Sequence, residues 1–298
     1  MRKIELLDGS IGQELVLRSE KKPTPLWSTE VLLKNPELVG AIHSEYFRCG
    51  ATIATTNTYP VLRDRLEKVG LAHKLEELWE SALTSAIRSR DDHGKGRVAG
   101  SIGPLVGSYR PESCPPPQVA EVRYAEIIKA LAPSVDLFLL ETMSSVSQAE
   151  GALRASTGRG RPVWLAMTVN DFDGKLLRSG EDLNDLRPLL VSFEPDALLI
   201  NCSRPEAVST AVDVIKDFGF PFGAYANGFE KISKDFIETS PTVDKLEQRH
   251  DLDEKKYADF AMSWIDQGAS IVGGCCEIGP SHILELCKRI SRAGFDIV

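Results

Sequence analysis

The sequence predicts an α/β fold, a single (β/α)8 TIM barrel, on three observations. Eight short apolar runs rich in β-branched residues recur along the chain, and a helical pattern follows each of them. No low-complexity linker divides the 298 residues into halves. An open doubly wound sheet would also alternate strands with helices, and the count of eight is what favours closure.

The strand runs fall at residues 4–7, 52–56, 98–102, 137–140, 163–168, 197–200, 222–226 and 270–272. The first helical stretch, 36–49, is the best marked. Asn35 is placed to cap it, Pro36 sits at the first helical position, Gly50 can close it, and Val39, Ile42, Tyr46 and Cys49 share a buried face. Similar patterns predict helices over 75–90, 119–131, 147–155, 182–191, 206–218, 256–266 and 281–290. The whole of 1–298 then reads as one domain, with a long charged loop at about 228–255 on the rim where barrel chemistry is done.

Composition narrows the function. The 35 Lys+Arg against 43 Asp+Glu give a net charge of −8, which offers no footprint for nucleic acid. No apolar run approaches a membrane span, and the start is charged too early for a signal peptide, so the expected location is the cytoplasm. In that compartment six cysteines are core fillers, metal ligands or catalysts rather than a disulfide framework.

Strand ends are where a barrel carries its chemistry, and here they are polar. They read Asp8-Gly9-Ser10, Thr56-Asn57-Thr58-Tyr59, Gly100-Ser101-Ile102-Gly103-Pro104, Glu141-Thr142, Asn201-Cys202-Ser203, Tyr225-Ala226-Asn227-Gly228 and Gly273-Gly274-Cys275-Cys276. Three cysteines therefore reach one rim: Cys202, Cys275 and Cys276. Adjacent residues of a strand face opposite ways, so Cys275 and Cys276 can share a ligand only where the backbone leaves extended geometry, a departure that Gly273 and Gly274 ease. Three thiolates would leave one tetrahedral position of a Zn2+ ion open, the pattern of a catalytic site. Competing readings are a redox pair of vicinal cysteines, a phosphate cradle at the glycines, and Cys202 as a buried small hydrophobe. Cys49 and Cys287 lie on apolar helix faces, and Cys114 sits in a proline-rich loop.

The ordered set Asp8-Gly9-Ser10-Ile11-Gly12-Gln13-Glu14-Leu15, Thr56-Asn57-Thr58-Tyr59, Ala99-Gly100-Ser101-Ile102-Gly103-Pro104, Glu141-Thr142, Ile200-Asn201-Cys202 and Gly273-Gly274-Cys275-Cys276 resembles the homocysteine S-methyltransferase family over nearly the whole chain. The resemblance implies a zinc-dependent barrel that methylates homocysteine to methionine, with Cys202, Cys275 and Cys276 as zinc ligands that activate the substrate thiol. It further implies that Asp8, Gly9 and Glu141 hold the amino-acid end of homocysteine. The chemistry agrees: the substrate ammonium needs carboxylate acceptors, and backbone amides around Gly9, Ser10 and Ser101 can hold its carboxylate. Asn57 joins this substrate-binding set with a weaker claim, because asparagines at strand ends often satisfy backbone.

The length expected for the barrel leaves no room for a cobalamin or folate module, so the expected donor is small and cationic, S-methylmethionine or S-adenosylmethionine first. Trp27, Tyr59, Tyr109, Tyr225 and Phe229 lie in or beside rim loops and offer aromatic faces to such a cation. Thr142 stands where the betaine-using branch of the family has a tyrosine, which disfavours betaine. The reading in a different class is a non-catalytic zinc- or thiol-binding barrel, a sensor or a subunit that works with a separate methyl-carrying protein. The expected partners are thus the small molecules homocysteine and a methyl donor, with neither nucleic acid nor membrane.

Overall fold

Period-2 alternation along the strands determines what faces what. In β4 (Leu137–Met143), Leu137 and Leu139 turn to the concave side of the sheet, and Phe138 and Leu140 pack beneath the helices. The computed structural model describes residues 2–19, 26–233, 236–237 and 246–298. Within them the other strands are β1 (Lys3–Leu6), β2 (Ile53–Thr55), β3 (Arg97–Ile102), β5 (Val163–Met167), β6 (Ala197–Asn201), β7 (Phe222–Tyr225), β8 (Ile271–Val272) and β9 (Asp296–Ile297). Leu7, Ile53, Ala99, Leu199 and Ile271 join the concave-side cluster, and a larger apolar layer fills the space between sheet and helices. Strands β4 to β8 are buried on both faces, which is why they read as nearly continuous apolar runs.

The expected closed eight-stranded barrel is corrected. The sheet is curled, open and nine-stranded, all parallel, in the order β2-β3-β4-β5-β6-β7-β8-β1-β9. The physical reason lies on one edge of β1. β8 takes the opposite edge through Glu5 and Leu6, and β9 takes Lys3 and Ile4 of this one. Only the end of the strand is left for β2, which meets it through an isolated bridge between Leu7 and Ile53 rather than a ladder. Thr52 spans that seam. Its backbone N–H donates to Leu6 O at 2.7 Å, and its hydroxyl oxygen accepts from Leu6 N at 3.1 Å. The two-residue β9 at the C-terminal end has no sequence signature that separates it from a frayed tail.

All eight expected helical stretches contain helix. The first runs Pro36–Arg48 with Pro36 in its first turn, but the Asn35 side chain makes no capping bond. The stretch 182–191 opens as a 3-10 turn, Leu183–Leu186, and becomes α-helical over Arg187–Phe193. Among the described residues three short α-helices escaped the pattern: Ile11–Arg18, Ser28–Lys34 and Arg63–Glu67. Each lies in a strand-to-helix connection on the rim. No helix among the described residues is long and apolar enough to cross a membrane.

The seam makes a stability prediction. Thr52→Val keeps the shape and removes the oxygen that satisfies Leu6 N, so urea unfolding should show a loss of about 1 kcal/mol. Unchanged stability would mean that the seam draws nothing from this side chain.

Candidate active site

The alternation that packs the concave face with apolar side chains continues one step further at the carboxyl ends of the strands, where the residues become polar. Ile53 is followed on the same face by Thr55, Ala99 by Ser101, Leu139 by Glu141, Leu199 by Asn201, and Gly223 by Tyr225. Ser101, Glu141, Asn201 and Tyr225 are buried, and Thr55 is half-buried. Ser101 Oγ donates to Glu141 Oε1, and Tyr225 Oη donates to Glu141 Oε2 at 3.1 Å. Asp8 accepts from Thr55 N at 2.7 Å and from Thr55 Oγ1 at 2.9 Å. Asn201 accepts from Thr142 N at 3.0 Å and so braces the Glu141–Thr142 turn, where Thr142 has φ +60°.

A cavity of about 340 Å³ opens above this layer, lined among others by Asp8, Gly9, Ser10, Asn57, Ser101, Glu141 and all three rim cysteines. The sequence-predicted site residues thus meet in one place. Burial pushes the Glu141 carboxyl up to about 7, against the pull of its Ser101 and Tyr225 hydrogen bonds. Burial also raises Asp8 well above the usual carboxylate range, with a further push from Glu141. Among the described residues neither buried carboxylate has an ion-pair partner, and a bound ammonium would relieve both.

Several assigned residues do more structural work than the sequence suggested. Ser10 N already donates to Ile278 O at 2.9 Å, and Ser101 N to Thr56 Oγ1 at 3.0 Å, so neither amide is free for a ligand carboxylate. Asn57 accepts from Ser28 Oγ at 2.9 Å and donates to Ser28 O at 3.4 Å. Gly9 is required by close approach, because a Cβ there would lie 2.1 Å from Ile278 O.

The sulfurs of Cys202, Cys275 and Cys276 lie within 4.8 Å of one another, and those of Cys202 and Cys276 are 3.8 Å apart. Tetrahedral Zn–S bonds of about 2.3 Å require sulfurs about 3.8 Å apart, so the cluster fits a zinc ion. Hydrogen bonds from the Cys275 and Cys276 thiols draw the Cys202 thiol well below its usual range, and their bonds to Cys202 push both Cys275 and Cys276 up. The cluster therefore favours a thiolate at Cys202. Gly273 and Gly274 contribute differently from expectation. Neither adopts positive φ; a Cβ would meet Leu7 at 2.5 Å and Ile278 at 2.3 Å respectively, so they let the turn press against its neighbours. The backbone departure falls instead at Cys202, φ +49°, and at Glu277, φ +66°.

What holds those two residues was not read from the sequence. Gln13, from the helix Ile11–Arg18, donates to Glu277 Oε1 and accepts from Glu277 N at 2.7 Å, which fixes the turn after Cys276. Arg178 Nη2 and Thr168 Oγ1 each donate to Cys202 O at 3.2 Å. Arg178 is in turn paired with buried Asp171, through bonds of 2.9 and 3.1 Å. The signal available was an acidic and a basic residue seven apart just beyond strand 5, the one strand end where no candidate was sought. Of the rim aromatics, Trp27, Tyr59, Tyr109 and Tyr225 line the cavity. Phe229 does not, and packs with Tyr109, Cys202, Phe236 and Leu246 beside it. Of the loop expected at 228–255, residues 234–235 and 238–245 lie outside the described residues. Phe236 and Ile237 from that loop line the cavity.

The sequence profile described as "Homocysteine S-methyltransferase" matches residues 5–290. The chain is 28% identical over 305 residues to the homocysteine S-methyltransferase of Escherichia coli strain K12, covering 96% of this chain and 95% of that one. It is 24% identical to a selenocysteine Se-methyltransferase of Brassica oleracea var. italica, covering 96% of this chain and 88% of the relative. Among solved structures, the metallated form of the Escherichia coli homocysteine methyltransferase MmuM superposes with a TM-score of 0.80 at 27% identity, 96% of each chain being covered. The apo form gives 0.71, at 25% identity and with 96% of this chain and 95% of that one covered.

The raised carboxylates make binding of an amino acid's ammonium group pH-dependent. The acceptor is the ionised form, so affinity is full above about 7 and is lost as the pH falls through the Glu141 value. Titrated with L-methionine, whose sulfur does not ionise, the protein should bind progressively more weakly on the acid side of that value. Glu141→Gln should remove the part of this dependence that falls near 7, leaving that of Asp8, and cost about 10-fold or more in affinity at pH 8, the scale of a charge-assisted hydrogen bond. An unchanged profile in the variant would remove Glu141 from ammonium recognition.

Proposed function

Because this chain belongs to the homocysteine S-methyltransferase family, we infer that its cavity moves a methyl group from a small cationic donor to the sulfur of homocysteine, giving methionine. The observation that carries the reading is the joint opening of a three-sulfur cluster and two buried carboxylates onto one cavity. Cys202, Cys275 and Cys276 would hold a zinc ion, which would supply the Lewis acidity that lowers the pKa of a substrate thiol from about 8.5.

The chain's own residues do the rest. Asp8 and Glu141 take the substrate ammonium, and Thr55, Ser101 and Tyr225 hold those carboxylates in place by their hydrogen bonds. Gly9 and Ser10 give the floor of the cavity its shape, with Ser101 beside Glu141. Asn57 keeps one N–H beyond its bond to Ser28 for the carboxylate end of the amino acid. Anchoring the ammonium and directing the sulfur toward the cysteines fixes the line of attack, and holding reactants in line removes much of the entropic barrier.

For the donor we favour S-methylmethionine, with S-adenosylmethionine second. The cavity volume is at the small end for ligand sites, which suits an amino-acid-sized sulfonium. Trp27, Tyr59 and Tyr109 present aromatic faces to its charge. Arg65 and Lys68 line the same cavity and suit a donor that also carries a carboxylate. The family match across 5–290 supports reading the chain as one unit, and six unpaired cysteines support a cytoplasmic location.

Purified zinc-loaded protein should form methionine from homocysteine with S-methylmethionine at a higher kcat/KM than with S-adenosylmethionine, betaine or dimethylsulfoniopropionate. No turnover with any of the four at full zinc loading would overturn the small-donor reading. Turnover only after addition of a separate methyl-carrying protein would identify a subunit rather than a free-standing enzyme.

A further inference from the structure

An electrophilic methyl group delivered into this cavity meets the chain's own sulfur nucleophiles as well as the substrate's. Cys202, Cys275 and Cys276 all line the cavity, so the three would compete with homocysteine for the methyl group. Methylation of any of them forms a neutral thioether and removes a charge from the cluster.

The three sulfurs are not equivalent. Cys202 is 3% exposed, and Tyr109 Oη lies 2.9 Å from its sulfur. A cysteine that ligates a metal does so as the thiolate, which has no proton to give, so in the zinc-loaded protein the tyrosine hydroxyl donates. The ring of Tyr109 is held firmly for this. The Arg178 guanidinium stacks over it at 4.7 Å, and Phe236 meets it edge-on at 6.1 Å. Arg178 is itself locked by Asp171 and donates to Thr168 Oγ1 at 2.9 Å and to the carbonyl of Cys202 at 3.2 Å. One guanidinium therefore fixes both the donor of this O–H···S bond, through the tyrosine ring, and the acceptor, through the cysteine backbone.

We propose that Tyr109 is a selectivity residue, positioned by Arg178, whose hydroxyl occupies a lone pair of the Cys202 sulfur and withholds that sulfur from methylation. This rests on the methyl-transfer reading of the cavity. In the suppressed reaction a Cys202 lone pair forms a C–S bond to the methyl carbon. The carbon–sulfur bond of the donor sulfonium breaks, its electron pair leaves with the neutral thioether product, and no proton moves. A hydrogen-bonded thiolate is less nucleophilic because the lone pair that would attack already interacts with a proton.

The test uses iodomethane, a methyl electrophile that needs no recognition and expels iodide in place of the thioether. Zinc-loaded wild type, Tyr109→Phe and Arg178→Lys are treated without homocysteine, and S-methylation at Cys202 and Cys275 is measured by peptide mass spectrometry. The rate at Cys202 is read as a ratio to that at Cys275 in the same molecules, so differences in reagent dose or active fraction cancel. In the wild type Cys202 should be the slower of the two. Tyr109→Phe, which keeps the ring under Arg178, should raise the ratio about 10-fold, one hydrogen bond's worth. Arg178→Lys should raise it in the same direction by less, and carries the test if Tyr109→Phe does not fold. An unchanged ratio in the folded variants would overturn the proposal. Turnover of the wild type with homocysteine and S-methylmethionine is measured alongside, and its absence would count against the function without bearing on the ratio.

Discussion

Three sulfurs confined within 4.8 Å are the constraint around which the rim is organised. At a separation near 4 Å each pair of thiolates repels by about 4 kcal/mol at an effective dielectric of 20, so the fully ionised cluster needs a cation among its members. Without one, the cluster settles on a single favoured thiolate, Cys202, served by the thiols of its neighbours. The fold meets the geometric cost in two places. It holds Cys202 and Glu277 in left-handed backbone, a conformation worth roughly 1–3 kcal/mol of strain per residue, and ties each down with bonds from distant segments, Arg178 and Thr168 for one and Gln13 for the other.

The other half of the site obeys the same electrostatic logic with the same sign. Among the described residues, the hydrogen-bond partners of the buried Asp8 and Glu141 carboxylates are hydroxyls and one backbone amide. A cavity with an anionic floor at one end and an anionic sulfur cluster at the other is incomplete on its own. It is completed by an ammonium and a metal ion, and an amino acid with a sulfur on a short chain connects the two. That pairing, more than any single residue, ties the geometry to the family's chemistry.

Much of this was legible in the sequence because strands carry their instructions in period two. The apolar runs gave the eight core strands, and the polar residue that ends each run marked the rim. Asp8, Glu141, Cys202, Cys275 and Cys276 were all found this way. What stayed hidden depends on contacts between segments far apart in sequence. Whether a parallel sheet closes is decided by competition for the edge of β1, and β9 is only two residues long with nothing in its composition to announce it. The pairing of Arg178 with Asp171 and its reach to Tyr109 and Cys202 are equally invisible, since each residue alone is an ordinary loop charge. The glycines before Cys275 were recognised, but for conformational freedom, whereas packing against Leu7 and Ile278 is what requires them.

The account stands on the three cysteines forming one metal centre that also receives the substrate sulfur. X-ray absorption at the zinc edge, on loaded protein with and without homocysteine, tests this most directly. The account predicts three sulfur neighbours in the free protein and a fourth when homocysteine is bound. A sulfur count unchanged by saturating homocysteine would contradict it.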